Sequence, residues 1–142
     1  MTKLTEHFTL EEMTVSDWAK NAQISNVPND KQKACLLVAA TNMESVRKIL
    51  NDNPIKVNSG FRNPKVNAGV GGSKTSDHMT GYSVDFICPK FGSPLEICKA
   101  IAATDLKFDQ LIQEGTWVHI SFSPKMRNQI LTKTANGFKN GL

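Results

Sequence analysis

The chain has 142 residues and lacks long hydrophobic runs, cysteine pairs and a leading apolar segment. No window approaches the ~18 consecutive apolar residues of a membrane-spanning helix, so we expect no membrane insertion. Charges are spread through residues 1–18, which is not the pattern of a secretory signal peptide. The cysteines, Cys35, Cys88 and Cys98, show no CxxC spacing and are predicted to be free thiols rather than zinc ligands.

Positive charge is present but not concentrated in one segment. The net charge is +4 and the isoelectric point is about 9.0. The lysines and arginines are scattered and no basic run alternates with aromatic residues, so we expect no nucleic-acid partner. The glycine-rich residues 67–76 lack the GxxxxGK[ST] order of a phosphate-binding loop. Because no repeat or long linker divides the chain, we expect one domain spanning residues 1–142. We also expect the protein to be a monomer.

Helical periodicity is strongest in residues 31–50, where apolar residues recur at intervals of three and four along one stripe. Asn29 or Asp30 is expected to cap this helix after the break at Pro28. Shorter helical segments are predicted to begin near Thr9, Ser16, Pro64 and Ser93.

Alternating residues predict four strands, at residues 55–60, 82–88, 108–114 and 117–123. Between the last two, Gly115 and Thr116 form a two-residue loop with glycine first, which favours a type II′ hairpin. Residues 73–80 are expected to be irregular, and the tail, residues 132–142, to be frayed or an edge strand. This order predicts an α+β domain, with a small antiparallel or mixed sheet and helices packed on one side.

Two of the three histidines lie in or next to strands, whereas the third, His7, lies near the N-terminus. Side chains alternate along a strand, so His119 and Asp85 point away from their apolar neighbours and could converge on one open sheet face. His78 precedes the second strand and could close over that face. An aspartate in an apolar strand needs a partner, because burying an unpaired carboxylate is costly. Two imidazoles and one carboxylate suit a catalytic zinc that keeps a fourth position open.

A hydrolase built on such a site needs an acid that accepts a proton from the attacking water. If Gly115 and Thr116 form a two-residue turn, Ile112 lies opposite His119, and Glu114 shares the face of His119. Asp109 then points to the other side. A one-residue slip would reverse this assignment, and Glu114 could instead be a solvated hairpin residue.

Five further residues carry weaker signals. Arg62 suits bidentate binding of a carboxylate or polarisation of a carbonyl group. Ser76 and Asp77 could bond the loop or the metal ligands. Trp117 and Tyr82 could line a substrate cleft, or they could pack as ordinary aromatic residues.

The motifs together resemble a known family. Residues 76–85, SDHMTGYSVD, resemble the SxHxxGxAxD motif of the M15 zinc peptidases, which include D-Ala-D-Ala carboxypeptidases, dipeptidases and phage endolysins that cut peptidoglycan stem peptides. Residues 117–121, WVHIS, resemble the segment with the family's second histidine, and residues 59–72 resemble its SG[YF]R segment. Residues 6–14 and 108–112 are similar to the small phage-associated branch, so the resemblance covers nearly the whole chain.

The resemblance implies a hedgehog/DD-peptidase-like fold with one Zn²⁺ on the open sheet face, held by His78, Asp85 and His119. It implies that Arg62 steadies the scissile carbonyl oxygen or orients the peptide, and that Ser76 supports the ligands.

Two positions depart from the family pattern. Ser83 stands where the motif usually has alanine, which adds a hydroxyl near Asp85. Many relatives place the acidic base three residues before the second histidine, where this chain has Thr116. Glu114, five residues before that histidine, is therefore the predicted base.

These features predict a zinc metallopeptidase that hydrolyses a peptide bond in peptidoglycan stem peptides, as a D-Ala-D-Ala carboxypeptidase or an endolysin-type endopeptidase. The resemblance also implies phage or prophage origin, synthesis in the bacterial cytoplasm and action on the cell wall after release. The alternative is a non-catalytic cell-wall-binding or virion-associated module that keeps the zinc fold.

Overall fold

A computed structural model of the chain describes residues 2–142. Its α-helices are α1 Leu10–Met13, α2 Asp17–Asn21, α3 Asp30–Ile49, α4 Pro64–Gly69 and α5 Pro94–Ala102, and a single 3-10 turn spans Asp77–Met79. Its strands are β1 Lys56–Ser59, β2 Ser83–Ile87, β3 Gln110–Gln113, β4 Val118–Ser121, β5 Gln129–Thr134 and β6 Gly137–Asn140. Within the described range these strands form one sheet in the order β1–β2–β4–β3–β5–β6.

The helices begin where side chains satisfy the first free backbone amides. Thr9 and Glu12 form the predicted capping box of α1. Asn29 rather than Asp30 caps α3, because its side chain accepts from the amide of Gln32 while the Gln32 side chain accepts from the amide of Asn29. No helix among residues 2–142 combines the length and the apolar character needed to cross a membrane.

The sheet is mixed, since β3 and β5 are parallel and the other neighbouring pairs are antiparallel. One face carries the core, where residues of β2, β3 and β4 pack against α3 and α5. The fully buried members from these strands are Val84, Phe86, Leu111, Val118 and Ile120. The α+β prediction is confirmed, with helices packed on the core face. The single domain spanning residues 1–142 stays a prediction.

Close backbone approaches explain two glycines in the motifs. A Cβ atom on Gly60 would lie 2.2 Å from the carbonyl oxygen of Met13, so only glycine lets the end of β1 approach α1. Gly81 has a φ of 99°, and a Cβ there would lie 2.8 Å from the carbonyl oxygen of Gln32 on α3. These contacts fix both ends of the segment 60–81, which lies beside the sheet.

The tail is a hairpin, not a frayed end. Strands β5 and β6 pair antiparallel, and β5 joins the sheet by pairing with β3. Of the two predicted alternatives the edge strand is correct, but the paired segment begins at Gln129, earlier than the alternation of residues 132–142 indicated. The irregular segment 73–80 also contains one 3-10 turn that the sequence did not predict. All three cysteines are free, as predicted.

Candidate active site

The centre of the site lies on the two middle strands. Asp85 of β2 is directly opposite His119 of β4 in the antiparallel register. His119 Nδ1 lies 2.9 Å from Asp85 Oδ1. Their neighbours along the chain are buried in the helix-covered core, so both polar side chains emerge on the other face. The predicted convergence of His119 and Asp85 is therefore present.

His78 reaches this pair from the 3-10 turn. The Ser76 hydroxyl accepts a hydrogen bond from the amide of His78, which fixes the start of the turn. His78 Nδ1 lies 2.6 Å from the carbonyl oxygen of Gly60, and because a carbonyl only accepts, Nδ1 carries the proton and donates. In the neutral imidazole Nε2 is then the unprotonated nitrogen, and it lies 3.2 Å from Asp85 Oδ1. The contact with Gly60 thus presents to the site a nitrogen that can bind a metal.

The three side chains bring their potential ligand atoms within 4.8 Å of one another. The His78 and His119 rings meet edge to face with centroids 5.1 Å apart. Two nitrogens and one carboxylate oxygen fit the donor set of a zinc site, and three protein ligands leave a position for water or substrate. His78 is only 2% exposed, which keeps bulk water away from one side of the site.

The charges of this cluster are strongly coupled. Burial alone would raise the pKa of Asp85, but the adjacent His78 and the hydrogen bond from His119 hold it well below its usual range. Burial alone would lower the pKa of His119, but the hydrogen bond to Asp85 raises it. Asp85 is therefore a carboxylate at neutral pH, and its charge favours a cation between the histidines.

Glu114 lies on the same side of the sheet as His119. The predicted hairpin register is present, with Ile112 opposite His119, and Gly115 takes a φ of 87° in the turn. Glu114 lines the cleft over the three-residue cluster, and its Oε2 accepts a 2.8 Å hydrogen bond from Trp117 Nε1. One carboxylate oxygen is thus held by an indole, which orients the other.

Arg62 also faces the cleft. Its backbone amide donates to the carbonyl oxygen of His78 at 2.9 Å, which ties the end of the SG[YF]R-like segment to the 3-10 turn. Burial lowers the pKa of the guanidinium, against the opposing charges of Asp85 and Glu114. Its Nε is buried and has no hydrogen-bond partner among residues 2–142. The side chain as a whole lines the cleft, so the guanidinium can meet an acceptor supplied by a ligand.

These residues share one cleft with a volume of about 800 Å³. Its walls are the glycine-rich loop from Val70 to Asp77, the open faces of β3 and β4, and the β5–β6 hairpin. Trp117 lines it, as predicted for one of the two aromatic candidates. Tyr82 does not line it. That side chain lies beside Cys35 of α3 on the helix side, because it shares a face with the core residue Val84.

Several contacts of the site were not predicted from the sequence. Asp77 accepts a 2.9 Å hydrogen bond from the Ser121 hydroxyl, joining the 3-10 turn to β4 beside the metal cluster. Ser121 shares the face of His119, so the alternation of β4 already carried this signal. The hairpin residues Leu131, Lys133 and Phe138 line the cleft as well, and nothing local in the sequence marked them.

Comparison with known proteins agrees with this geometry. The family model described as peptidase M15 matches residues 6–121, well over half of the chain. The chain belongs to the peptidase M15 family. It is also 36% identical over 70 residues to the zinc D-Ala-D-Ala carboxypeptidase of Streptomyces albus G. That stretch covers 49% of this chain and 26% of the relative, so the chain spans about a quarter of the length of the curated relative it matches.

Membership of the peptidase M15 family confirms the resemblance drawn from the motifs. The His-Asp-His cluster provides a donor set that suits the zinc in the relative's name. The hairpin lies outside the matched residues, since the match ends at residue 121 and β5 begins at Gln129.

Proposed function

We propose that this protein is a zinc-dependent peptidase that hydrolyses a peptide bond in peptidoglycan stem peptides. The observation that carries the proposal is the convergence of three potential ligand atoms within 4.8 Å in a cleft that also holds Glu114 and Arg62. Family membership and the zinc D-Ala-D-Ala carboxypeptidase relative support both the reaction type and the substrate class.

His78, Asp85 and His119 would hold the zinc. When bound, zinc would supply Lewis acidity toward the scissile carbonyl and would lower the pKa of the attacking water. His78 is fixed by its hydrogen bond to Gly60, and His119 is fixed by its place in β4 opposite Asp85. The ligands are thus oriented before any substrate arrives.

Glu114 would act as the general base. Its Oε2 is occupied by Trp117, which leaves the other oxygen to accept a proton from water and return it to the leaving amine. Arg62 would donate to the scissile carbonyl oxygen as negative charge develops there, since its side chain lines the same cleft as the three potential ligands. Ser76 acts on His78 through the hydrogen bond that starts the 3-10 turn.

The proposal includes two activities that differ in the bond that is cut: a D-Ala-D-Ala carboxypeptidase and an endolysin-type endopeptidase. The matched relative favours the first, and the likeness of residues 6–14 and 108–112 to the phage-associated branch favours the second. That likeness also supports phage or prophage origin, synthesis in the bacterial cytoplasm, and action on the cell wall after release. Mass spectrometry of purified muropeptides digested with the zinc-loaded protein identifies the bond.

The Glu114→Gln substitution tests catalysis. We expect kcat on muropeptides to fall by about 10²–10⁴-fold with zinc content unchanged, because the amide cannot accept the proton. Glu6→Gln is the matched control, since Glu6 is exposed and distant in sequence from the site. Equal activity in all three proteins would remove Glu114 from the mechanism. Zinc binding without cleavage of any muropeptide by the wild type would favour the non-catalytic module, a role suggested by Thr116 at the usual position of the base.

The Arg62→Ala substitution tests oxyanion stabilisation. We expect kcat to fall by about 10²–10³-fold, the range measured for loss of one donor to a developing oxyanion. Lys65→Ala is the control, because Lys65 is an exposed cation on the neighbouring helix α4. A change confined to KM would assign Arg62 to substrate binding instead.

A further inference from the structure

The C-terminal hairpin is part of the cleft although it lies beyond the residues matched to the family. In the parallel register of β3 and β5, Leu131 lies beside Ile112, which itself lies opposite His119. In the hairpin, Lys133 lies opposite Phe138. Leu131, Lys133 and Phe138 therefore share the site face of the sheet, and all three line the cleft. These three residues form one wall of the cleft, and they lie C-terminal to the residues matched to the family.

The charge of Lys133 is directed into the cleft without a carboxylate partner. Its Nζ lies 5.9 Å from the centroid of the Trp117 ring, close enough for a cation–π contact. No carboxylate oxygen of residues 2–142 lies within 4.0 Å of that ammonium group. Arg127 at the start of the hairpin differs, because the buried carboxylate of Asp109 binds its guanidinium. Lys133 is thus an unneutralised cation beside the residue that holds Glu114.

The surroundings of Lys133 suit an acidic peptide. Phe138 is 58% exposed opposite it, and Leu131 lies on the same face, so an apolar surface flanks the cation. Such a pairing favours a peptide residue that carries a carboxylate and an aliphatic chain, because the ammonium binds the carboxylate while the flanking surface covers methylene groups. A stem peptide offers carboxylates at its C-terminus and on side chains.

We propose that the β5–β6 hairpin is the substrate-selecting wall of the cleft and that Lys133 binds a carboxylate of the peptide substrate. This inference rests on the proposed function. The carboxylate is either the C-terminal group or a side-chain group, and both would make the same charge-assisted hydrogen bond. Lys133 is a specificity residue here, and the reacting atoms are handled by the residues described above.

Matched substitutions within the hairpin test the proposal. Lys133→Gln removes the cation from the cleft wall. Lys139→Gln removes the same charge from β6 at a position next to Phe138, where alternation turns the side chain to the opposite face. Lys133→Arg keeps the charge. Thermal melts of the zinc-loaded variants verify that all of them are folded before kinetics are measured.

The substrates are a synthetic stem pentapeptide ending in D-Ala-D-Ala and two derivatives, one amidated at the C-terminus and one amidated at the side-chain carboxylate. For the unmodified peptide we expect Lys133→Gln to raise KM about three- to tenfold with kcat unchanged, and Lys133→Arg to restore it. Lys139→Gln should match the wild type. The increase in KM caused by Lys133→Gln should disappear with one of the two amidated peptides. The carboxylate that is amidated in that peptide is the one that Lys133 binds.

Two results would overturn the proposal: equal KM values for Lys133→Gln and Lys139→Gln, or a rise that persists in full with both amidated peptides. A fall in kcat alone would also overturn it, since Lys133 would then act through Trp117 and Glu114. Calorimetric measurement of peptide binding separates failure of the Lys133 proposal from failure of the proposed function. If binding depends on Lys133 but no peptide is cleaved, only the proposed hydrolysis is rejected. If the peptides are neither bound nor cleaved, both proposals are rejected.

Discussion

The middle strands β2 and β4 and the C-terminal hairpin line the same cleft, but they hold their side chains differently. Asp85 and His119 are paired with each other, and His78 is anchored to the backbone of Gly60. Lys133 and Phe138 on the hairpin are exposed, and residues 137–140 are exposed throughout. Groups that perform chemistry need fixed positions, whereas groups that select a substrate need access to it. The contrast separates a centre of mutually bonded side chains from a wall of exposed ones.

The largest effect is expected from breaking the centre. His119→Ala should lower zinc affinity by more than about 100-fold. This loss is larger than the loss of about 10–100-fold that follows removal of a residue that only hydrogen-bonds a metal ligand. Elemental analysis after dialysis should give about one zinc per wild-type chain and none in the variant. His7→Ala is the control, because His7 bonds Glu44 near the N-terminus. Equal zinc content in His119→Ala and the wild type would remove His119 from the ligand set.

The next effect concerns the attachment of the hairpin to the sheet. Asp109, which is fully buried, accepts hydrogen bonds from the backbone amide, Nε and Nη2 of Arg127. Asp109→Asn should lower the free energy of unfolding by about 1–3 kcal/mol at pH 7, because a charged acceptor is lost beside a cation. Asp105→Asn, at an exposed position in the preceding loop, should change it little.

The pH dependence of the same pair has a definite sign. The hydrogen bond from Arg127 holds the pKa of Asp109 below its ordinary value. Because the pKa of Asp109 is lower in the folded state, its ionised form stabilises the fold at pH values above the unfolded-state pKa of about 3.9. This stabilisation is lost as the pH falls through the folded-state pKa. Denaturation of metal-free wild type and Asp109→Asn should therefore show a difference that shrinks below about pH 4. A difference independent of pH would contradict the ion-pair explanation.

A smaller effect is expected where the centre and the wall meet. Trp117 donates to Glu114 and also lies under Lys133. Trp117→Phe keeps an aromatic face for Lys133 but removes the donor, so kcat should fall about three- to tenfold while KM and zinc content stay unchanged. Trp18→Phe, which alters the indole packed near Gly69 outside the cleft, is the control. An unchanged kcat would show that the indole does not orient Glu114.

The smallest effect is expected at Ser83 of β2. Its hydroxyl is fully buried and has no hydrogen-bond partner among residues 2–142, although it stands where the family motif usually has alanine. Ser83→Ala should leave zinc content unchanged and raise the free energy of unfolding by zero to about 1 kcal/mol, because an unsatisfied polar group is removed. Thermal denaturation with zinc bound measures this. A clear loss of stability would reveal a partner for the hydroxyl.

The positions of the candidate site residues were predicted better than the tail. The placement of Glu114 depends on pairing between β3 and β4, which are consecutive in the chain, whereas the tail depends on pairing between β3 and β5, which are not. Glu114 was placed on the face of His119 by a two-residue turn, a local feature that fixes the register of the whole hairpin. The long helix α3 was predicted from its apolar stripe and its cap. By contrast, β5 pairs in parallel with a strand that is separated from it by the whole of β4, and such pairings leave no local pattern.

Tyr82 illustrates the other limit of sequence reasoning. The alternation of β2 puts it on the face of Val84, although Tyr82 was also a candidate to line the cleft. The structure puts it beside Cys35, so the strand period decides its position. Asp77 is the opposite case, because only the packing of the 3-10 turn against β4 reveals its bond to Ser121.

By itself, the sequence determined the metal-binding residue types, the strand faces of Asp85 and His119, and the caps that start the helices, because each depends on neighbours within a few positions. Only the tertiary structure decided which nitrogen of His78 is free, how Trp117 holds Glu114, and that the tail forms a wall of the cleft. These features depend on contacts such as Gly60 with His78 and β5 with β3, which join residues distant in the chain.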